Sequence, residues 1–212
     1  GCEERVDVFV GLTEILAKAA TAVNVSRSAP RSLQGLPGID SQYEIARRTL
    51  RLVDESESGL GLEGDEGAQP LEVGTLLGLM RDDGSPVLLA EVARRVSRAG
   101  HPTRFGVRIL SRALHRLEIS KGDGRGGPTQ ALYLAGTDSS GRQDAVLVAQ
   151  GDFDPLADYE IRFPDRVYRV NLNRVRHQGR GWLLAGVEVA GEKVESAPPP
   201  AAKAPLTLTL AD

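Results

Sequence analysis

The sequence contains a single cysteine, Cys2, among its 212 residues. One cysteine allows no internal disulfide bond, and this usage fits the reducing environment of the cytoplasm. No run of about 18 apolar residues occurs, and a membrane-spanning helix requires such a run. The sequence therefore predicts a cytoplasmic protein with no membrane span.

Aromatic residues are also scarce, at 4% of the chain, so valine, leucine and alanine must supply most of the core. Glycine and proline are abundant by contrast, with 24 and 12 residues. Many turns between short apolar runs are typical of an all-β fold. We therefore expect an all-β protein, with one short helical insertion.

The chain has no excess of basic charge, since its formal net charge is −3. Nucleic-acid-binding proteins usually carry a strongly basic surface, so no nucleic-acid partner is expected. The histidines at positions 101, 115 and 177 lack metal-ligand spacing, and we expect them at the surface. No P-loop, nucleophile elbow or zinc-protease motif occurs. We expect a protein that is not an enzyme and needs no metal or cofactor.

The first half of the chain is predicted to form one β unit. Strands are expected at 6–10, 44–53, 60–62, 73–79, 87–98 and 104–110. Apolar residues in 87–98 fit helical spacing as well as alternation, but the Asp-Gly turn before this segment and Pro102 after it favour a strand. Thr13 is a plausible N-cap for a helix that ends near Val23. An acidic loop at 63–70 is expected to be exposed.

The second half is predicted to form a separate small barrel or sandwich. A glycine-rich linker at 121–128 precedes five strand candidates, at 131–134, 145–149, 159–163, 167–172 and 182–189. The domains are therefore expected at 1–118 and 128–191, with no sequence repeat linking them. The segment 192–212 is rich in proline and alanine and is expected to be a disordered tail.

The most informative segment is 52–62, where an apolar strand runs into Asp54-x-Ser56-x-x-Gly59. An acid and a hydroxyl two residues apart share one face of an extended chain. Glycine lets the backbone turn sharply or approach a ligand closely. Two readings are open at this point: a ligand-binding turn, or an ordinary hairpin that Asp and Ser support.

This Asp-x-Ser-x-x-Gly string resembles the second signature of the PilZ domain, the bacterial receptor module for cyclic di-GMP. The strand order over roughly residues 5–111 also resembles a PilZ β-barrel, closed by the strand at Gly106-Val107. In this comparison, residues 11–43 form an insertion between the first two barrel strands. The resemblance implies that Asp54 and Ser56 hydrogen-bond a guanine edge or the ligand backbone and that Gly59 allows close approach.

The other signature of that family is Arg-x-x-x-Arg, normally placed just before the first barrel strand. The resemblance implies either that such a pair lies upstream of the chain or that Arg5 is its remnant. Arg27 and Arg31 are a second candidate pair, because they precede Asp54 by a family-like gap. We include Arg5 with Asp54, Ser56 and Gly59 as predicted ligand-binding residues.

A stripe of arginines on the later strands has two interpretations. Arg94, Arg95 and Arg98 lie on one predicted strand, with Arg104 and Arg108 opposite. They could be solvated residues that protect a sheet edge, or an electrostatic wall beside an anionic ligand or partner.

The sequence as a whole predicts two small antiparallel β units, the first a PilZ-like barrel. The resemblance implies a receptor that binds cyclic di-GMP and relays its level to a protein partner. The alternative is a degenerate PilZ-like scaffold that binds protein without nucleotide.

Overall fold

A computed structural model describes residues 4–26, 48–65, 70–82, 85–124, 127–135, 144–162 and 166–194. These residues form one α-helix and two closed, antiparallel, six-stranded barrels. The predicted all-β class, with two β units and one short helix, is confirmed. Within the described part of the chain, no helix is both long enough and apolar enough to cross a membrane.

The first barrel closes through pairing of its first and fourth strands. Its strands are β1 (Arg5–Val10), β2 (Arg48–Glu55), β3 (Gly59–Gly64), β4 (Leu76–Arg81), β5 (Leu88–Val96) and β6 (Thr103–Ser111), in the order β1-β2-β3-β6-β5-β4. In β6, Phe105, Val107 and Ile109 are buried while Arg104 and Arg108 are exposed. This alternation fills the barrel with apolar side chains and places basic ones on its outer surface. The strand expected at 87–98 is confirmed.

Helix α1 (Gly11–Ser26) follows β1 without a loop. Gly11 has a φ of +81°, a conformation that glycine adopts without steric cost, and the chain turns sharply there. The N–H of Val10 donates to Glu14 Oε2 at 2.8 Å. Thr13 is therefore inside the helix, and its prediction as the N-cap was wrong. The rest of the predicted insertion, after Ser26, lies outside the described residues.

The second barrel also has six strands. They are β7 (His115–Lys121), β8 (Thr129–Leu134), β9 (Ala145–Ala149), β10 (Asp158–Arg162), β11 (Arg166–Gln178) and β12 (Trp182–Val194), in the order β7-β8-β9-β12-β11-β10, with β10 paired to β7. The sequence predicted five of them and missed β7. Five predicted strands cannot close this barrel, because β7 supplies the pairing partner of both β8 and β10.

Strand β7 belongs to the second barrel, so the first barrel ends earlier in the chain than predicted. Leu117 and Ile119 are buried in the core of the second barrel, so residues 115–118 do not belong to the first domain. The boundary lies at 112–114, and the stretch predicted as a linker provides the connection from β7 to β8. The predicted tail is wrong at its first three residues, because β12 continues to Val194, and residues 195–212 lie outside the described residues.

The second barrel repeats the strand order of the first, although no sequence repeat was found. In the first barrel, Arg94 of β5 lies opposite Gly106 of β6, directly after a β-bulge. In the second, Arg174 of β11 lies opposite Gly186 of β12, also directly after a bulge. The two barrels are therefore two versions of one topology.

The two barrels share an apolar cluster and are not independent modules. Its buried members are Phe9, Ile15, Leu76 and Leu89 from the first barrel and its helix, and Leu132, Leu134, Leu147 and Trp182 from the second. Trp182 is 1% exposed, and its indole N–H donates to the Gly74 carbonyl at 3.0 Å. His177, expected at the surface, is half-buried, with its Nε2 2.7 Å from Glu91 Oε2 of the first barrel.

The equivalent outer faces of the two barrels have different chemistry. On the second, third and sixth strands of the second barrel, this face carries Leu132, Leu147 and Leu184 and packs into the shared cluster. On the corresponding strands of the first barrel, the face carries charged and glycine residues and stays open to solvent. The first barrel therefore exposes the surface that its counterpart uses for packing.

Candidate ligand-binding groove

A groove of about 560 Å³ lies on this open face of the first barrel. Its walls come from β2, β3, β5, β6 and the turn between β5 and β6. The lining residues are Val53, Asp54, Leu60, Gly61, Leu62, Glu63, Arg94, Val96, Arg98, His101, Pro102, Arg104, Phe105 and Gly106. The structure thus brings the first residue of the Asp-x-Ser-x-x-Gly string together with part of the arginine stripe.

Four residues form one row across the groove. Asp54 lies opposite Gly61, Gly61 opposite Gly106, and Gly106 opposite Arg94. The row spans three strand spacings, or about 14 Å. Because the two central residues have no side chain, bare backbone forms the floor between an acid and a guanidinium. A flat group could therefore approach the sheet closely between opposite charges.

The carboxylate of Asp54 lies directly over this floor. A Cβ added at Gly61 would lie 2.5 Å from Asp54 Oδ2, so only glycine leaves room for the carboxylate in this position. The register between β2 and β3 shifts just before Asp54, and such a bulge re-aims the side chains that follow it. Within the described ranges, the Asp54 side chain has no hydrogen bond or ion pair. Its oxygens are therefore available to accept hydrogen bonds from a ligand.

The arginine stripe divides into two sets. Arg94 and Arg98 line the groove, and their side chains have no ion pair or hydrogen bond to any described residue. Arg95 instead pairs with Glu72 at 3.2 Å, and Arg108 pairs with Glu91 at 2.6 Å. The division arises because neighbouring strand residues point to opposite faces and because the bulge in β5 shifts the alternation.

Glu63 forms part of the groove wall, although the sequence predicted it to lie in an exposed loop. Glu63 is 8% exposed and lies in β3, so that prediction was wrong for this residue. Arg51 donates a hydrogen bond to its Oε2, and Arg104 Nε lies 3.6 Å from its Oε1. A buried carboxylate between two guanidinium groups is compensated for its loss of hydration. Glu63 therefore partly neutralises the charge of Arg104, which weakens the attraction of Arg104 for an anionic ligand.

Ser56 is engaged within the hairpin itself. Its hydroxyl accepts from the Gly59 N–H and lies within donating distance of the Gly59 carbonyl, both at 3.1 Å. Gly59 is required for packing, because a Cβ there would lie 2.5 Å from the carbonyl oxygen of Val107. The structure thus gives Ser56 and Gly59 a role in the turn, beside the groove that Asp54 faces.

Glu55 does not contribute its charge to the groove. Its carboxylate lies 2.6 Å from Arg81 Nη2, and this hydrogen bond holds the pKa of Glu55 below its usual value. Of the acids in this turn, Asp54 is the one that lines the groove.

Arg5 lies outside the lining of the groove. It sits at the start of β1, opposite Arg51, which in turn lies opposite Glu63. Arg5 is therefore on the same outer face, on the strand next to the groove wall formed by β2. Arg27 and Arg31 lie outside the described residues.

Sequence reasoning did not identify Gly61 or His101 as site residues. The signal for Gly61 was present, because glycine inside a strand often marks the close approach of another group. His101 lines the groove from the β5–β6 turn, and no local pattern indicates its proximity to Asp54. Over the described ranges, no cluster of His, Cys, Asp and Glu side chains is arranged to hold a metal ion.

Comparison with known proteins adds no relative to this description. No family model matches the chain, and neither the curated proteins nor the solved structures give a significant match. The assignment of a function therefore depends on the residues and on the geometry of the groove.

Proposed function

We propose that this protein is a receptor for cyclic di-GMP and that the groove of the first barrel is its binding site. The proposal is supported by the Asp-x-Ser-x-x-Gly string, which resembles the PilZ signature and forms the β2–β3 hairpin beside the groove. In this proposal, the Asp54 carboxylate accepts hydrogen bonds from the N–H groups on the edge of one guanine. The base lies beside the Asp54 carboxylate, against the backbone of Gly106.

One observation carries the proposal. Asp54 lies across a floor of Gly61 and Gly106 from Arg94, and neither charged side chain is satisfied by a described residue. Exposed charges without partners on both sides of a bare backbone suit a ligand with donor groups at one end and negative charge at the other. Cyclic di-GMP combines guanine donors with two phosphodiester anions.

The proposed relay to a protein partner uses strand β5. This strand carries Arg94 in the groove and Leu89 in the apolar cluster shared with the second barrel. A displacement of β5 on ligand binding would act directly on the packing between the barrels. The protein then needs no reaction of its own, because binding shifts the balance between two arrangements.

Titration calorimetry of the full chain with cyclic di-GMP tests the proposal. We expect saturable binding that weakens tenfold to about a hundredfold in Asp54→Ala, since one charge-assisted hydrogen bond contributes about 1.5–3 kcal/mol. Asp82→Ala is the control, because Asp82 is an exposed turn residue outside the groove. Absence of heat and of any shift in melting temperature at excess ligand would reject the receptor.

The state of Ser56 favours a second candidate, a PilZ-like scaffold that binds protein without nucleotide. The hydroxyl that the resemblance assigns to the ligand is already bonded within the hairpin. Under this alternative, the Asp-x-Ser-x-x-Gly residues serve only to form the turn. Failure of the titration, together with loss of hairpin stability in Ser56→Ala, would support it.

A further inference from the structure

We infer that Arg94 and Arg98 form the phosphate-binding subsite of the groove. This inference deepens the proposed function and rests on it. It places the cationic half of the site on β5 and the following turn, within the first barrel itself. The resemblance had placed that half at Arg5 or upstream of the chain.

The first argument is the contrast between these arginines and their neighbours. Arg51, Arg81, Arg95 and Arg108 all form ion pairs with glutamates at the barrel surface. Arg94 and Arg98 form none with any residue that the structure describes, although both face a groove.

The second argument is their shared direction. Arg94, Val96 and Arg98 alternate along the chain, and all three line the groove. Alternate residues of an extended chain project from the same face about 6.6–6.8 Å apart. Arg94 and Arg98 are two such steps apart, or about 13 Å along the backbone, and their long side chains can contact one extended ligand from either side of Val96.

The third argument concerns the chemistry of the guanidinium group. Its planar fork donates two parallel hydrogen bonds to two oxygens of one phosphate, and its charge persists at every working pH. His101 and Arg104 extend the same wall beyond Arg98. Glu63 offsets the charge of Arg104, which leaves Arg94 and Arg98 as the principal anion ligands.

The fourth argument is the row from Asp54 to Arg94, which indicates where each part of the ligand binds. Arg94 lies at the end of the row opposite Asp54, so the acid and the arginine cannot both contact the same end of a bound molecule. The base edge is held at β2, and the phosphates are held at β5. Arg5 lies on β1, next to the wall formed by β2, and does not line the groove, so this assignment does not require it.

The first test compares matched double variants by calorimetry with cyclic di-GMP. Arg94→Ala/Arg98→Ala should weaken binding by at least about a hundredfold, because two charge-assisted contacts are lost at about tenfold or more each. The control is Arg169→Ala/Arg174→Ala. Both of its arginines are exposed on β11, and Arg174 occupies the register position that corresponds to Arg94.

The control pair and Arg5→Ala should bind within about twofold of wild type, since none of these arginines lines the groove and exposed charges outside it are screened by salt. Unchanged melting temperatures would show that all three variants are folded. If the Arg94/Arg98 variant binds like the control pair while Asp54→Ala does not bind, the subsite is wrong and the receptor stands.

The second test removes guanine from the measurement. Pyrophosphate is titrated into the full chain while the side-chain Nε–Hε signals of arginine are followed by NMR. Saturable shifts for Arg94 and Arg98, with none for Arg174, are expected. If these shifts occur but cyclic di-GMP does not bind, the anion subsite stands and the proposed receptor fails. If neither probe binds, both are rejected.

Discussion

At the residue scale, glycine determines what the groove can accept. Gly61 and Gly106 lie side by side on β3 and β6, and both are half-buried. The Asp54 carboxylate occupies part of the space that a side chain at Gly61 would need. The orientation of the acid and the flatness of the floor therefore depend on the same residue.

Gly61→Ala is expected to separate binding from stability. The new Cβ must displace the Asp54 carboxylate, which is the free end of an exposed side chain, so the stability cost is small. Alanine also favours the strand by roughly 0.5–1 kcal/mol over glycine. We expect an unchanged melting temperature by circular dichroism and a loss of cyclic di-GMP affinity on the order of tenfold by calorimetry.

Gly151→Ala is the matched control, since a Cβ there meets nothing within 4 Å and lies outside the groove. Wild-type affinity in Gly61→Ala would show that the position of Asp54 is immaterial to binding. A large loss of stability would show that the carboxylate is rigidly held.

At the scale of the element, the residues of one motif in the β2–β3 hairpin have different surroundings. Ser56 bonds to both backbone groups of Gly59, and the N–H of Ser56 donates to the Gly59 carbonyl at 2.8 Å. The bulge before Asp54 then turns the acid toward the groove. The serine shapes the turn, and the aspartate faces the groove.

Ser56→Ala should therefore act mainly on stability. Loss of the hydroxyl removes the side-chain hydrogen bonds across the turn, at a cost of about 0.5–1.5 kcal/mol in the free energy of unfolding by urea. Ser58→Ala is the control, because Ser58 is also exposed in the same turn, and only its backbone carbonyl is bonded, to the Ile109 N–H. Equal stability in the two variants would contradict the structural role, and a binding defect larger than that of Asp54→Ala would make Ser56 a primary ligand contact.

At the scale of the whole molecule, two barrels of one topology have diverged in the use of one face. The second barrel buries its apolar face in the shared cluster, beneath helix α1 and strands of the first barrel. The first barrel leaves its equivalent face polar and open. Because large apolar faces are buried and charged faces stay solvated, this difference determines which barrel packs and which can bind a ligand.

We expect the two barrels to unfold together because of this cluster. Leu89 is fully buried in it, so Leu89→Ala should lower the free energy of unfolding by about 2–5 kcal/mol. Trp182 is the only tryptophan and lies in the same cluster, so its fluorescence reports the contact between the barrels. In wild type and variant alike, fluorescence and far-UV circular dichroism should show one coincident transition.

Leu156→Ala is the control, since this side chain is 94% exposed and its removal should leave stability unchanged. Two separate transitions, with fluorescence following only one of them, would show that the barrels are independent. The domain division at the glycine-rich stretch was expected from the sequence, but cleavage there would open the β7–β8 connection and would not release a barrel.

The sequence by itself determined the class of the fold and most of its strands. Alternating side chains in β6 and the apolar runs of β9 and β12 are local properties that every residue carries with it. The Asp-Gly turn before β5 and Pro102 after it were enough to choose strand over helix there. The Asp-x-Ser-x-x-Gly string was visible because its three residues lie close together in the chain.

Only the tertiary structure decided the closure of the barrels and the composition of the groove. Strand β7 was missed because its charged ends conceal Leu117 and Ile119, whose burial depends on pairing with β8 and β10. Asp54 and Arg94 lie at opposite ends of one row that crosses two intervening strands. A bulge in β5 determines which arginines face the groove. Register and bulges arise from pairing between distant segments, and a one-residue shift moves side chains to the other face. The pattern of one strand therefore cannot contain this information.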